Sequence, residues 1–86
     1  MHSWLSSWVF CMKSEFKSYY EAVGQNVVYY RRAKRLTQEQ LAGLVGVARS
    51  HIAAIELGRV GLSCDVIFKL CEVLDVAPKQ LMDIGG

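Results

Sequence analysis

Residues 36–59 read LTQEQLAGLVGVARSHIAAIELGR, and this stretch spells two short helices with almost nothing between them. Thr37-Gln38-Glu39-Gln40 matches a capping box: a threonine hydroxyl for the orphan amide three residues on, and a glutamine side chain reaching back. The helix that starts there carries Leu41, Leu44 and Val45 inward until Gly46, whose tolerance of positive φ suits a helix C-terminus. A second apolar pattern follows at once through Val47, Ile52 and Ile55 and stops at Gly58.

A turn of so few residues, with glycine in it, makes the two helices cross steeply and share one core, which is the physical content of a helix-turn-helix. The small Ala42 facing the turn permits the close approach. Upstream, from about Glu15 to Lys34, the chain has no proline, and Phe16, Tyr20, Val23, Val27 and Tyr30 recur at spacings of three and four, one face of a helix. Downstream, past the loop from Gly58 to Gly61, Ser63 is placed to cap a fourth helix with Asp65 favourably in its first turn. Cys64, Ile67, Leu70, Cys71 and Leu74 form its inner face. Pro78 then suits the first turn of a last short helix holding Leu81. The expected fold class is all-α: a five-helix domain over residues 15–86, preceded by an extension over residues 1–14.

Composition agrees with this reading. Eighty-six residues with 52% hydrophobic content suffice for one core and fall short of two domains. The net charge of +2 is too small to identify a partner by itself, yet its distribution is uneven. Arg31, Arg32, Lys34 and Arg35 crowd one short segment, while Asp65, Glu72, Asp75 and Asp83 follow Gly61 against only Lys69 and Lys79. Taken alone, the basic cluster fits a solvated helix end as well as an anion-binding surface. Three cysteines, Cys11, Cys64 and Cys71, lack C-x-x-C spacing and a histidine at metal spacing, so neither a zinc site nor a disulfide framework is expected, and a reducing cytoplasm fits best. Cys64 and Cys71, one heptad apart, read as small hydrophobes on an apolar face. The opening MHSWLSSWVFCM is apolar but lacks a basic n-region, a cleavage site and the length of a membrane span. Met1 to Cys11 is either an upstream extension from a misplaced start codon or a segment whose Trp4, Leu5, Trp8, Val9 and Phe10 dock as an extra helix or on a partner.

The segment from Leu36 to Arg59 resembles the signature of the phage repressor and Cro type of helix-turn-helix proteins, the XRE family. The matching elements are Thr37-Gln38, Leu41-Ala42, Gly46-Val47, Ile52, Ile55, Glu56 and Gly58. The likeness extends through Gly24-x-x-Val27 and Arg31 upstream and Leu70 to Leu81 downstream, so it covers roughly residues 23 to 82. The resemblance implies a repressor-like domain that binds double-stranded DNA as a transcriptional regulator, with the helix from Arg49 to Glu56 in the major groove. It places Arg49, Ser50, His51, Ala53 and Ala54 at the base edges. Arg49 is the foremost of these, because a guanidinium can bond guanine O6 and N7 together; contact with phosphate alone is the alternative role. Gln38, Arg32, Lys34, Arg35 and Arg59 are implied phosphate contacts, which set register without reading sequence. Arg31 and Glu56 resemble the family's internal ion pair. Ala48 departs from the pattern, since a Ser or Thr usually caps the recognition helix there.

A module of this size reads only a few base pairs, so a homodimer on a palindromic operator is expected. Val66, Phe68, Val73 and Met82 lie beyond the inner stripe of the last two helices and are the dimer candidates; completing a small core is their other possible use. Catalysis is not expected, because His2 and His51 lack a partner at meaningful spacing and no glycine loop cradles a phosphate. No cofactor or metal is called for. The rival to a regulator is an antitoxin or other interaction protein of the same fold, holding a protein partner through residues 1–11.

Overall fold

A computed structural model describes residues 16–85, and the expectations for residues 1–14 lie outside them. Its elements are α1 (Lys17–Ala33), α2 (Gln38–Val45), α3 (Arg49–Glu56), α4 (Cys64–Leu74) and α5 (Pro78–Leu81), an all-α arrangement.

Hydrogen bonds account for where most of these helices start. The Thr37 hydroxyl accepts from the Gln40 amide at 3.0 Å and the Gln40 side chain accepts from the Thr37 amide at 2.9 Å, so the capping box of α2 is complete. A cap of this kind is typically worth about 1 kcal/mol. Ser63 caps α4 by accepting from Val66 N at 3.2 Å. At α5, Pro78 takes the first position while Gln80 reaches back to the Ala77 amide at 2.8 Å. Helix α3 starts on an alanine, Ala48, with no side-chain cap.

Four helices stop the same way. Arg35, Gly46, Gly58 and Asp75 all take left-handed φ, between 58° and 89°. Behind each, an amide turns back to a carbonyl five residues earlier: Leu36 to Arg31, Val47 to Ala42, Arg59 to Ala54 and Val76 to Cys71, at 3.0–3.1 Å. Orphan carbonyls at the helix ends are satisfied in this way. Two of the four positions are glycines, which have no steric objection to the conformation; Arg35 and Asp75 hold it against one.

One stripe from each helix meets at the centre. Val27, Leu41, Ile52, Ile55, Leu70, Leu74 and Leu81 have essentially no exposure, and burial of such side chains contributes about 1.5–3 kcal/mol each. Helix α1 lies against the C-terminal end of α3 at backbone distance: a Cβ on Gly24 would stand 2.4 Å from Ile55 O and 2.5 Å from Glu56 O, and one on Gly58 would stand 2.6 Å from Glu21 Cα. Asn26, two residues further along α1 than Gly24, donates to Leu81 O at 2.9 Å and to Asp83 O at 2.6 Å, tying the end of α5 to α1.

The inward stripes differ from the sequence expectation at three places. Leu44 is 54% exposed: the buried arc of α2 is centred on Leu41 and Ala42, and Leu44 falls on the order of 100° around the axis from it. Cys64 shares a face with buried Cys71 but is exposed, because it is the first residue of α4, and side chains lean toward a helix N-terminus. It therefore overhangs the packed end. Phe16 is 38% exposed and stacks on Tyr19 instead, ring centroids 5.9 Å apart, since the buried positions of α1 begin at Val23. Burial pushes the Cys71 thiol above its ordinary pKa, which keeps it an inert hydrophobe.

Candidate nucleic-acid interface

The two faces of α3 divide the labour. Ile52 and Ile55 are fully buried and Glu56 nearly so, while Arg49 and Ser50 stand in solvent and His51, Ala53 and Ala54 are half-buried. Eight residues make little more than two turns, so a helix with its rear face committed to the core has one free face to offer. That face starts with Arg49 and Ser50 and ends with Leu57, 56% exposed, a position the sequence pattern did not single out. An apolar residue ending a charged face carries no periodicity signal.

Behind this face lies a chain of polar contacts. Arg31 Nε donates to Glu56 Oε2 at 2.6 Å and its second terminal nitrogen donates to Oε1 at 3.3 Å. The remaining terminal nitrogen donates to Leu36 O at 2.8 Å, where the chain enters α2. The side chains keep only 11% and 4% exposure. Two charges withdrawn from water this far need complete hydrogen bonding, and among the described residues no buried side-chain nitrogen or oxygen lacks a partner. The pair thus pins α1, the start of α2 and the end of α3 to one another.

Gln38 joins this chain. Its Nε2 donates to Glu56 Oε1 at 2.8 Å, and its Oε1 accepts from an Arg49 terminal nitrogen at 3.1 Å. Sequence reading put Gln38 on a phosphate; here its side chain bonds a buried carboxylate and an exposed arginine. Spacing along the chain could not show this, because 18 residues separate Gln38 from Glu56.

The expected phosphate contacts Arg32, Lys34, Arg35 and Arg59 are all exposed. Arg32 sits beside Gln25, Val28 and Tyr29 on α1, Lys34 lies 3.9 Å from the exposed Asp75 carboxylate, and Arg35 occupies the left-handed turn before α2. An ion pair as open as Lys34–Asp75 contributes about 0–1 kcal/mol, so it leaves Lys34 available. Of the dimer candidates, Phe68 and Met82 are 59% and 44% exposed. Val66 and Val73 are half-buried and already pack against the core. No helix among the described residues is long and apolar enough to cross a membrane.

Comparison with known proteins agrees with this geometry. A family model described as helix-turn-helix matches residues 28–81. Control protein C.BamHI from Bacillus amyloliquefaciens is 39% identical over 61 residues, 70% of this chain and 75% of its own length. An HTH-type transcriptional regulator from Methanocaldococcus jannaschii, MJ0272, is 44% identical over 48 residues, 56% of this chain and 73% of its own. Among solved structures, the restriction-modification controller protein C.AhdI from Aeromonas hydrophila superposes with a TM-score of 0.70 at 39% identity, covering 72% of this chain and 94% of the controller. With a helix-turn-helix model covering more than half of its length and a control protein 39% identical over 70% of it, the chain belongs to the XRE-type helix-turn-helix family of DNA-binding transcriptional regulators.

Proposed function

We propose that the protein is a sequence-specific regulator that binds double-stranded DNA as a symmetric dimer, each protomer laying α3 in the major groove of one half-site. The observation that carries this reading is the division of α3: Ile52 and Ile55 sealed in the core, Arg49 and Ser50 leading the free face. Arg49 retains donors for a guanine after its bond to Gln38. Ser50 and His51 serve as shorter hydrogen-bonding contacts, and Ala53 and Ala54 present methyl groups at groove depth. The exposed Arg32, Lys34, Arg35 and Arg59 supply phosphate contacts and the salt dependence that comes with them. The control-protein relatives favour, within this reading, a regulator of a restriction-modification gene pair.

Selection of duplexes from a random pool tests the assignment. The expected enrichment is a palindrome whose half-sites lie about one helical turn, ~34 Å, apart. Arg49→Ala should then weaken binding to the selected site by about 1–3 kcal/mol and binding to an unrelated duplex by far less. A pool that enriches no sequence, or an equal loss on both duplexes, rejects base reading by α3.

The dimer has its own measurement. Phe68 and Met82 leave apolar surface in water on α4 and after α5, and pairing two copies there would cover it. Light scattering at micromolar concentration without DNA should give twice the chain mass, and Phe68→Glu should return it to the monomer. A wild-type monomer mass refutes the pairing.

A further inference from the structure

Helix α3 carries its outward hydrogen-bonding side chains in its first turn. Arg49, Ser50 and His51 open it. Beyond them the free face holds only Ala53, Ala54 and Leu57, since Glu56 is turned inward and bonded by Arg31. Leu57 follows Ser50 by two helical turns, about 10 Å further along the same face, and is 56% exposed. With Ile52, Ile55 and Glu56 buried, successive steps on the order of 100° per residue put Leu57 almost opposite the core. The half-buried Ala53 and Ala54 flank it on that face.

This exposure is not that of a frayed end. The Leu57 amide donates to Ala53 O at 3.1 Å. Before it, Glu56 is fixed by Arg31 and Gln38; after it, Gly58 lies so near α1 that a Cβ there would stand 2.6 Å from Glu21 Cα. An isobutyl group held at this place has no hydrogen bond to offer a phosphate or a base, so what it gains from a duplex is burial against another apolar group. In the major groove that group is the C5-methyl of a pyrimidine, which thymine and 5-methylcytosine carry and cytosine lacks. Against a bare base edge, Leu57 would strip water from polar atoms and return no hydrogen bond.

The geometry points to Leu57, with the Ala53 and Ala54 methyl groups beside it, as a subsite for a pyrimidine C5-methyl group in the part of the half-site beyond the Arg49 contact. Leu57 is then a specificity-determining residue, adding a preference for a methyl-bearing pyrimidine to the hydrogen-bonded contacts of the first turn. This rests on the placement of α3 in the groove. Thymine and 5-methylcytosine offer the same methyl at the same place, so methylation of an operator cytosine at that position strengthens binding through the same side chain.

Replacing thymine by uracil removes the methyl and leaves base pairing and every hydrogen-bonding edge unchanged, so a uracil scan of the selected operator isolates the contact. Each thymine is replaced in both half-sites and affinity is read by fluorescence anisotropy. At the position that meets Leu57, the wild type is expected to lose about fourfold per half-site, and Leu57→Ala less than about twofold. With a cytosine–guanine pair at that position instead, methylating the cytosine at C5 should raise wild-type affinity about fourfold per half-site and leave Leu57→Ala unchanged. The variant should melt with the wild type, because the side chain it loses is exposed. A scan in which no uracil weakens binding, a methyl effect that survives Leu57→Ala undiminished, or wild-type indifference to cytosine methylation at the responsive position overturns the subsite. A wild-type protein that selects no sequence overturns the placement of α3 and the subsite with it, before any base is altered.

Discussion

Gly24→Ala should destabilise the domain by about 3 kcal/mol, the upper end of what forcing an extra carbon into a packed interior costs. The new methyl has nowhere to go: Ile55 O, Glu56 O and Glu56 C would lie 2.4, 2.5 and 2.8 Å from it. All three are backbone atoms, so no side chain can swing aside to make room, and α1 must separate from α3 as a body. Domains of this kind are held by only about 5–15 kcal/mol. For 60–100 residues each kcal/mol corresponds to roughly 4–8 °C, so a melting temperature lower by at least 12 °C is expected. Gly43→Ala is the control. It lies in α2 with nothing within 4 Å of its would-be Cβ, and replacing a helical glycine in open space should raise stability by about 0.5–1 kcal/mol. Opposite signs for the two variants are the expected result, and a Gly24→Ala melt equal to wild type refutes the contact. DNA binding should fall with stability, because the atoms displaced are the last carbonyls of α3.

Arg31→Ala is expected to cost about 3–5 kcal/mol, the penalty for leaving a buried charge without its partner. Glu56, 4% exposed in the pair, would be left with only the Gln38 amide as a side-chain donor, and Leu36 O would lose its bond as well. Arg32→Ala, one residue along on an exposed part of α1, should stay within about 0.5 kcal/mol of wild type. Chemical denaturation of the two variants side by side provides the comparison. Replacing both members of the pair by methionine should cost less than removing Arg31 alone, because no charge is then stranded. Equal stabilities for Arg31→Ala and Arg32→Ala refute a structural role for the pair.

These two sites differ in how far the sequence announces them. Arg31 and Glu56 could be named together from the family pattern, but not the third contact at Leu36 or the fourth at Gln38. Gly24 stood in the same pattern with no stated reason, and its reason is a backbone 31 residues away in the chain. Asn26 carried no signal at all. A polar residue within a helix reads as solvated until another segment, here residues 81–83, brings carbonyls to it.

The helix ends show the same division. Thr37, Ser63, Pro78, Gly46 and Gly58 were readable because a cap or a left-handed turn is decided within four or five residues, by hydroxyl reach and by the absence of a Cβ. Arg35 and Asp75 terminate α1 and α4 in that same conformation against their own steric preference of about 1–2 kcal/mol. What holds them there is the packing of the helices on either side.

Amino-acid order alone thus determined what short-range chemistry decides: how many helices form, where α2, α4 and α5 begin, and which apolar residues supply the centre. Tertiary structure alone decided which members of each apolar stripe are covered, as Leu44 and Cys64 demonstrate, how near α1 lies to α3, and that Gln38 stands between a sealed carboxylate and a free guanidinium. The reason is one of range: caps and turns act over a few bonds, whereas burial and side-chain pairing depend on which surfaces meet once the whole chain has closed.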